Sequence, residues 1–205
     1  MIHIGIFIFD GVEELDFVGP YEVFTMINEV CNYQGEPDGV DVRLISQDGK
    51  QVTCAKKMRV LTDGAISDTI DWDVILMPGG EGTRPLLDNE PVIKWLQSQA
   101  KSAKWITSVC TGSMVLAKAG LTAGKKITTH HLNFEEFRQR ELPGELVSGV
   151  RYVCDGNLIT AAGVSAGIDM ALWLTGQMFS PTMARSVQSA MQYDPDPPYA
   201  NLKEN

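Results

Sequence analysis

Four cysteines and three histidines are the side chains of this sequence best suited to nucleophilic or ligand chemistry. No two cysteines form a Cys-x-x-Cys pair, and none stands at ligand-like spacing from His3, His130 or His131, so no metal site is expected. Cys110 stands apart by its surroundings, Trp-Ile-Thr-Ser-Val-Cys110-Thr-Gly-Ser-Met-Val-Leu-Ala. A bulky, partly β-branched run ends at Cys110 and small-residue helical spacing begins at once, which puts a thiol on a strand-to-helix corner. Gly112, two positions on, supplies the small residue that a nucleophile elbow needs for its sharp turn. A thiol beside the open amides and positive end of a helix is expected to favour its thiolate and act as a nucleophile. Most free cysteines are inert small hydrophobes, and Cys154 reads as one of these.

The candidate partners lie in other connections. Asp16 follows the first apolar run, at the edge of the sheet where Cys110 also sits, with Glu13 and Glu14 as competing carboxylates. The loop Pro78-Gly79-Gly80-Glu81-Gly82 offers amides for substrate or for developing negative charge. It is not a phosphate loop, because no Gly-Lys-Ser/Thr follows. His130 and His131 are adjacent and are expected to point in different directions, with one of them lining the site.

The elements that must position these residues read as alternating strands and helices. Ile2 to Phe9 is a continuous apolar strand, the pattern of a parallel sheet covered on both faces. A helix is expected from about Tyr21, with Pro20 in its first turn. Strands follow at 40–46 and 71–77, with a hairpin of 51–54 and 58–61 and a short helix or turn at 63–69. Asn89 to Ala100 is a capped amphipathic helix feeding the Cys110 strand. A strand is expected at 125–129 and a helix at 132–140. A hairpin of 150–154 and 158–161 turns on Asp155-Gly-Asn157, and helices at 168–179 and 181–192 precede an extended tail from Tyr193 to Asn205.

A chain of 205 residues with no linker or internal repeat reads as one domain, residues 1–205. The net charge of -9, with scattered basic residues, argues against a nucleic-acid partner, and the apolar runs are too short to cross a bilayer. The N-terminus lacks a basic region and cleavage site, so a cytoplasmic protein with reduced cysteines is expected.

Five segments carry a resemblance: Glu14-Leu-Asp16-Phe-Val-Gly-Pro20, Met77-Pro-Gly-Gly-Glu-Gly82, Ser108-Val-Cys-Thr-Gly-Ser113, Thr128-Thr-His-His131 and Asp155-Gly-Asn-Leu-Ile-Thr160. Together they resemble the ThiJ/PfpI superfamily, and most nearly its isocyanide hydratase branch. That resemblance implies a flavodoxin-like three-layer α/β sandwich with a mainly parallel sheet, a homodimer and no cofactor. By motif match it assigns Cys110 as nucleophile, Asp16 as its acidic partner and Thr111 as a supporting hydroxyl. It places Gly79 and Gly80 around a small-molecule substrate, and His130 and Val164 are further candidates for contact with that substrate. Many members carry histidine directly after the cysteine and glutamate as the acid; Thr111 and Asp16 stand here instead, which weakens a protease or glyoxalase reading. The implied reaction is hydration of an isocyanide, R-NC, to its N-substituted formamide through a Cys110 thioimidate. The alternatives are a glyoxalase-like enzyme, or a ligand or oxidation sensor related to the N-terminal domain of AraC-type regulators.

Overall fold

The computed structural model describes residues 1–196. The strands are β1 (Ile2–Phe7), β2 (Val40–Ser46), β3 (Val52–Thr53), β4 (Arg59–Val60), β5 (Gly64–Ala65), β6 (Val74–Met77), β7 (Trp105–Val109), β8 (Lys126–Ile127), β9 (Glu145–Leu146), β10 (Tyr152–Asp155) and β11 (Leu158–Ala161). The helices are α1 (Glu14–Tyr33), α2 (Thr83–Leu86), α3 (Glu90–Gln99), α4 (Gly112–Lys118), α5 (Phe134–Gln139), α6 (Ala166–Met178) and α7 (Pro181–Ala190).

Seven strands form one sheet in the order β10-β11-β7-β6-β1-β2-β5. All neighbours are parallel except the β10–β11 hairpin at one edge. The central strands are apolar on both sides because helices cover both. The register aligns Ile6 with Leu76 and Leu76 with Thr107; Val109, two residues past Thr107, shares the face of Ile6, and Phe7 faces the other way. Phe7 packs at a tilt against Trp95 of α3, with ring centroids 5.5 Å apart, whereas Val109 packs where α6 begins, at Gly167. Helices α1, α6 and α7 pack together on the Val109 face, and α3 packs with α4. The result is the expected three-layer α/β sandwich with a mainly parallel sheet.

Three local expectations are corrected. Helix α1 begins at Glu14, so Asp16 is in its first turn and Pro20 lies inside the helix. A proline there costs one amide hydrogen bond, and the packing of α1 against α6 outweighs that local signal. The stretch read as a helix or turn after Asp63 contains β5, which extends the sheet beside β2. The strand expected at 125–129 is only β8, paired with β9 outside the main sheet. Of the expected extended tail, Tyr193 to Asp196 are described and the rest lies outside the described residues.

Candidate active site

The carboxyl ends of β1, β6, β7 and β11 share one edge, and each delivers a residue to it. Asp16 comes from the first turn of α1, Gly79 and Gly80 from the loop after β6, Cys110 and Thr111 from the corner after β7, and Val164 from the turn after β11. His130 arrives from the segment after β8. A cavity of about 280 Å³ is bounded by Cys110, Thr111, Gly80, His130 and Val164, with Glu13, Ala55, Glu81, Arg84, Leu132 and Asn133 completing its wall.

Cys110 adopts φ +56, a conformation that ordinary residues rarely hold. Its neighbours over-determine it. The Cys110 amide donates to the Ala162 carbonyl at 2.6 Å and the Ala161 carbonyl at 3.1 Å, while its own carbonyl accepts from the Ser113 and Thr129 hydroxyls, both at 3.0 Å. Gly112 is pressed against the end of β6, and a Cβ there would overlap the Met77 carbonyl oxygen. These features are the elbow expected from the sequence.

The elbow's electrostatics differ from expectation. Asp16 is fully buried beside the thiol, its Oδ2 accepting from the Gly79 amide at 2.8 Å and its Oδ1 having no hydrogen-bond partner. Burial pushes its carboxyl up to about 7, against the opposing Gly79 hydrogen bond. The Cys110 thiol is pushed up to about 12, first by burial and then by the charge of Asp16. The expected gain in thiolate from the helix start is therefore overturned. Contacts from Thr111 do favour the anion, but α4 is a short helix and burial outweighs them. With the carboxyl near 7 and the thiol near 12, the first negative charge of the pair falls on Asp16 as pH rises through about 7.

Gly79 does not line the cavity; its amide is spent on Asp16. A Cβ on Gly79 would lie 2.6 Å from the Thr111 nitrogen and 2.7 Å from Cys110 Cβ, so only glycine lets this loop touch the elbow. The Gly80 amide donates to Thr111 Oγ1 at 3.0 Å. Neither amide is free for the expected role of oxyanion donor or substrate ligand. The Thr83 hydroxyl donates to the Gly80 carbonyl at 2.7 Å and lies 3.1 Å from Thr111 Oγ1, fixing the loop from behind.

The two histidines also depart from expectation, since their rings stack with centroids 4.6 Å apart. Only His130 reaches the cavity. Its Nδ1 accepts from the Leu132 amide at 3.3 Å, and burial followed by His131 lowers its pKa, so it is neutral near pH 7.

Residues 3–177 match the DJ-1/PfpI family. The chain belongs to that family. This DJ-1/PfpI protein is 38% identical over 200 residues to isonitrile hydratase from Pseudomonas putida, covering 97% of this chain and 81% of the relative. It is 32% identical over 145 residues to HTH-type transcriptional regulator CdhR from Pseudomonas aeruginosa, covering 70% of this chain and 42% of the regulator. A crystal structure of a ThiJ/PfpI family protein from Pseudomonas syringae superposes with a TM-score of 0.86 at 28% identity, covering 97% of this chain and 78% of that one.

Several wall residues of the DJ-1/PfpI site carried no sequence signal. Arg84 grips Glu136 of α5 through two bonds, 2.6 and 3.2 Å, and donates to the Gly80 carbonyl at 3.1 Å, tying α5 to the glycine loop. Ala55 reaches the cavity because the β3–β4 turn folds back over the start of α1, its amide donating to the Val12 carbonyl at 2.8 Å. Pairings between such distant segments leave no local pattern. Among the competing carboxylates, burial singles out Asp16, while Glu13 stands on the cavity wall.

Proposed function

We propose that this DJ-1/PfpI protein hydrates organic isocyanides to N-substituted formamides, with Cys110 as nucleophile and Asp16 as proton carrier. The observation that carries the reading is the pair itself: a buried carboxyl with one oxygen held by Gly79 and the other unpartnered, set against the Cys110 thiol. The isonitrile hydratase relative, matched across nearly the whole chain, supports the substrate.

The chemistry suits these groups. Asp16 takes the thiol proton as Sγ attacks the isocyanide carbon, and that carbon, left with an electron pair, takes the proton back from Asp16 to give the thioimidate RN=CH–S. Water then adds to the C=N carbon, one of its protons going to nitrogen. Collapse returns the other to sulfur and releases RNH–CHO. The first step builds charge on carbon, so it asks for a proton donor and no oxyanion hole, in keeping with the engaged Gly79 and Gly80 amides. The Thr111 hydroxyl donates to the Gly80 carbonyl at 3.3 Å, and Thr111 is also the neighbour that favours the Cys110 anion. His130 and Val164 form the wall against which the R group rests. Mass spectrometry of products from a small isocyanide panel tests the reading: N-substituted formamides support it, and unchanged isocyanides reject it.

The pH dependence follows from Asp16. Its raised pKa means that below about 7 the pair gains a second proton and loses its base. The expected kcat/KM for hydration is flat above about 7 and falls about tenfold per pH unit below it. A rate unchanged between pH 5 and 8 would remove Asp16 from the first step.

The reading extends to a cytoplasmic homodimer that needs no bound cofactor. Sedimentation should give about twice the 22.5 kDa chain mass, and a concentration-independent monomer would reject the dimer.

A further inference from the structure

The cavity wall carries more negative than positive charge. Glu13 lines it at the start of α1, and Glu81 lines the rim with a largely exposed carboxylate. Beneath them the buried Asp16 adds negative charge as pH rises through about 7. The lining cation among the described residues is Arg84; its guanidinium is bonded to Glu136 and lies 4.0 Å from the exposed Glu81 carboxylate, so it offsets Glu81 only weakly and leaves Glu13 to set the field. His130 is neutral near pH 7. Lys56 pairs with Glu13 but does not line the cavity, and its side chain is mostly exposed, so its compensation is screened by solvent.

We propose that Glu13 makes this pocket a charge filter, admitting isocyanides with neutral or cationic R groups and rejecting those that carry a carboxylate or another anion. In a space of about 280 Å³, an anionic R group attached to a carbon in contact with Cys110 lies within several ångströms of the Glu13 carboxylate. Repulsion at that range in a partly desolvated pocket corresponds to at least about a tenfold loss in rate. The substrate class rests on the hydratase reading. The filter itself does not, because any small reagent that reaches Cys110 crosses the same field.

The test uses the full chain and two reagents of one size, neutral iodoacetamide and anionic iodoacetate. Their alkylation rates are read by peptide mapping at Cys110 and at the exposed Cys154 of the same molecules. In parallel, hydration is compared for one isocyanide as its methyl ester and as its free carboxylate. The amide-to-acetate ratio at Cys110 should exceed that at Cys154 by about tenfold or more, and the ester should be preferred by a similar factor. Glu13→Gln should lower both ratios and Lys56→Met should raise them. The hydration value is a ratio within one preparation to which unfolded chains contribute nothing, so a loss of folded protein cancels there and checks the alkylation ratio. Equal ratios at the two cysteines, or ratios unmoved by Glu13→Gln, would overturn the filter. Charge selection in alkylation without hydration of either isocyanide would uphold the filter and overturn the hydratase reading; hydration without charge selection would do the reverse.

Discussion

Cys110→Ala is expected to yield no thioimidate and no formamide, and Asp16→Asn is expected to lose a hundredfold or more in turnover while remaining folded. The first removes the sulfur proposed to attack the isocyanide carbon. The second keeps the size of the side chain and an acceptor for the Gly79 amide at 2.8 Å, but removes the group proposed to carry the proton from sulfur to carbon. Asp16→Glu retains an acid displaced by about one methylene, so partial activity should separate it from Asn. Steady-state hydration beside thermal melting checks all three. A folded Asp16→Asn protein with full activity would reduce Asp16 to a structural residue.

The same substitution should stabilise the protein, with a sign opposite to that of ordinary acidic residues. The folded-state pKa of Asp16 is raised to about 7 from 3.8, so the native state binds a proton that the unfolded chain has already released. Its favourable contribution is fully present below about pH 4, declines as pH rises through about 7, and is absent above that. A shift of about three units corresponds to on the order of 4 kcal/mol. Asn pays no such penalty for ionisation in a buried site. Asp16→Asn should therefore melt several degrees higher than the parent at pH 8, and the difference should shrink towards zero near pH 4. A variant less stable than the parent at pH 8 would mean that Asp16 is not a strained carboxylate. Loss of activity together with gain of stability is the pattern expected of a group held for chemistry.

The elbow was legible because it is written locally: a strand-type run stops at Cys110, and Gly112 stands where a Cβ would meet the Met77 carbonyl. The central strands were legible for a similar reason, since burial on both faces requires unbroken apolar runs. Asp16 was placed at the correct edge but on the wrong element, because Pro20 signals a helix start so strongly that the helix continuing upstream of it was hidden. Strand β5, with two residues, has no period to read. The state of the Cys110 thiol was misjudged for a deeper reason. Proximity to a helix start is visible in sequence, whereas burial beside a second acidic group is a property of the assembled site. The Arg84–Glu136 pair joins residues 52 positions apart and likewise exists only after folding.

The central claim is that a single proton passes from Cys110 through Asp16 to the isocyanide carbon. It is tested most directly by rapid quenching of the protein with one isocyanide in heavy water, followed by peptide and product mass analysis. The account predicts a transient adduct of the isocyanide on Cys110 alone, a formyl group carrying deuterium on carbon, and neither signal in Cys110→Ala. Formamide produced by Cys110→Ala at the parent rate, or turnover in which no Cys110 adduct can be trapped while the adduct appears on another cysteine, would contradict it.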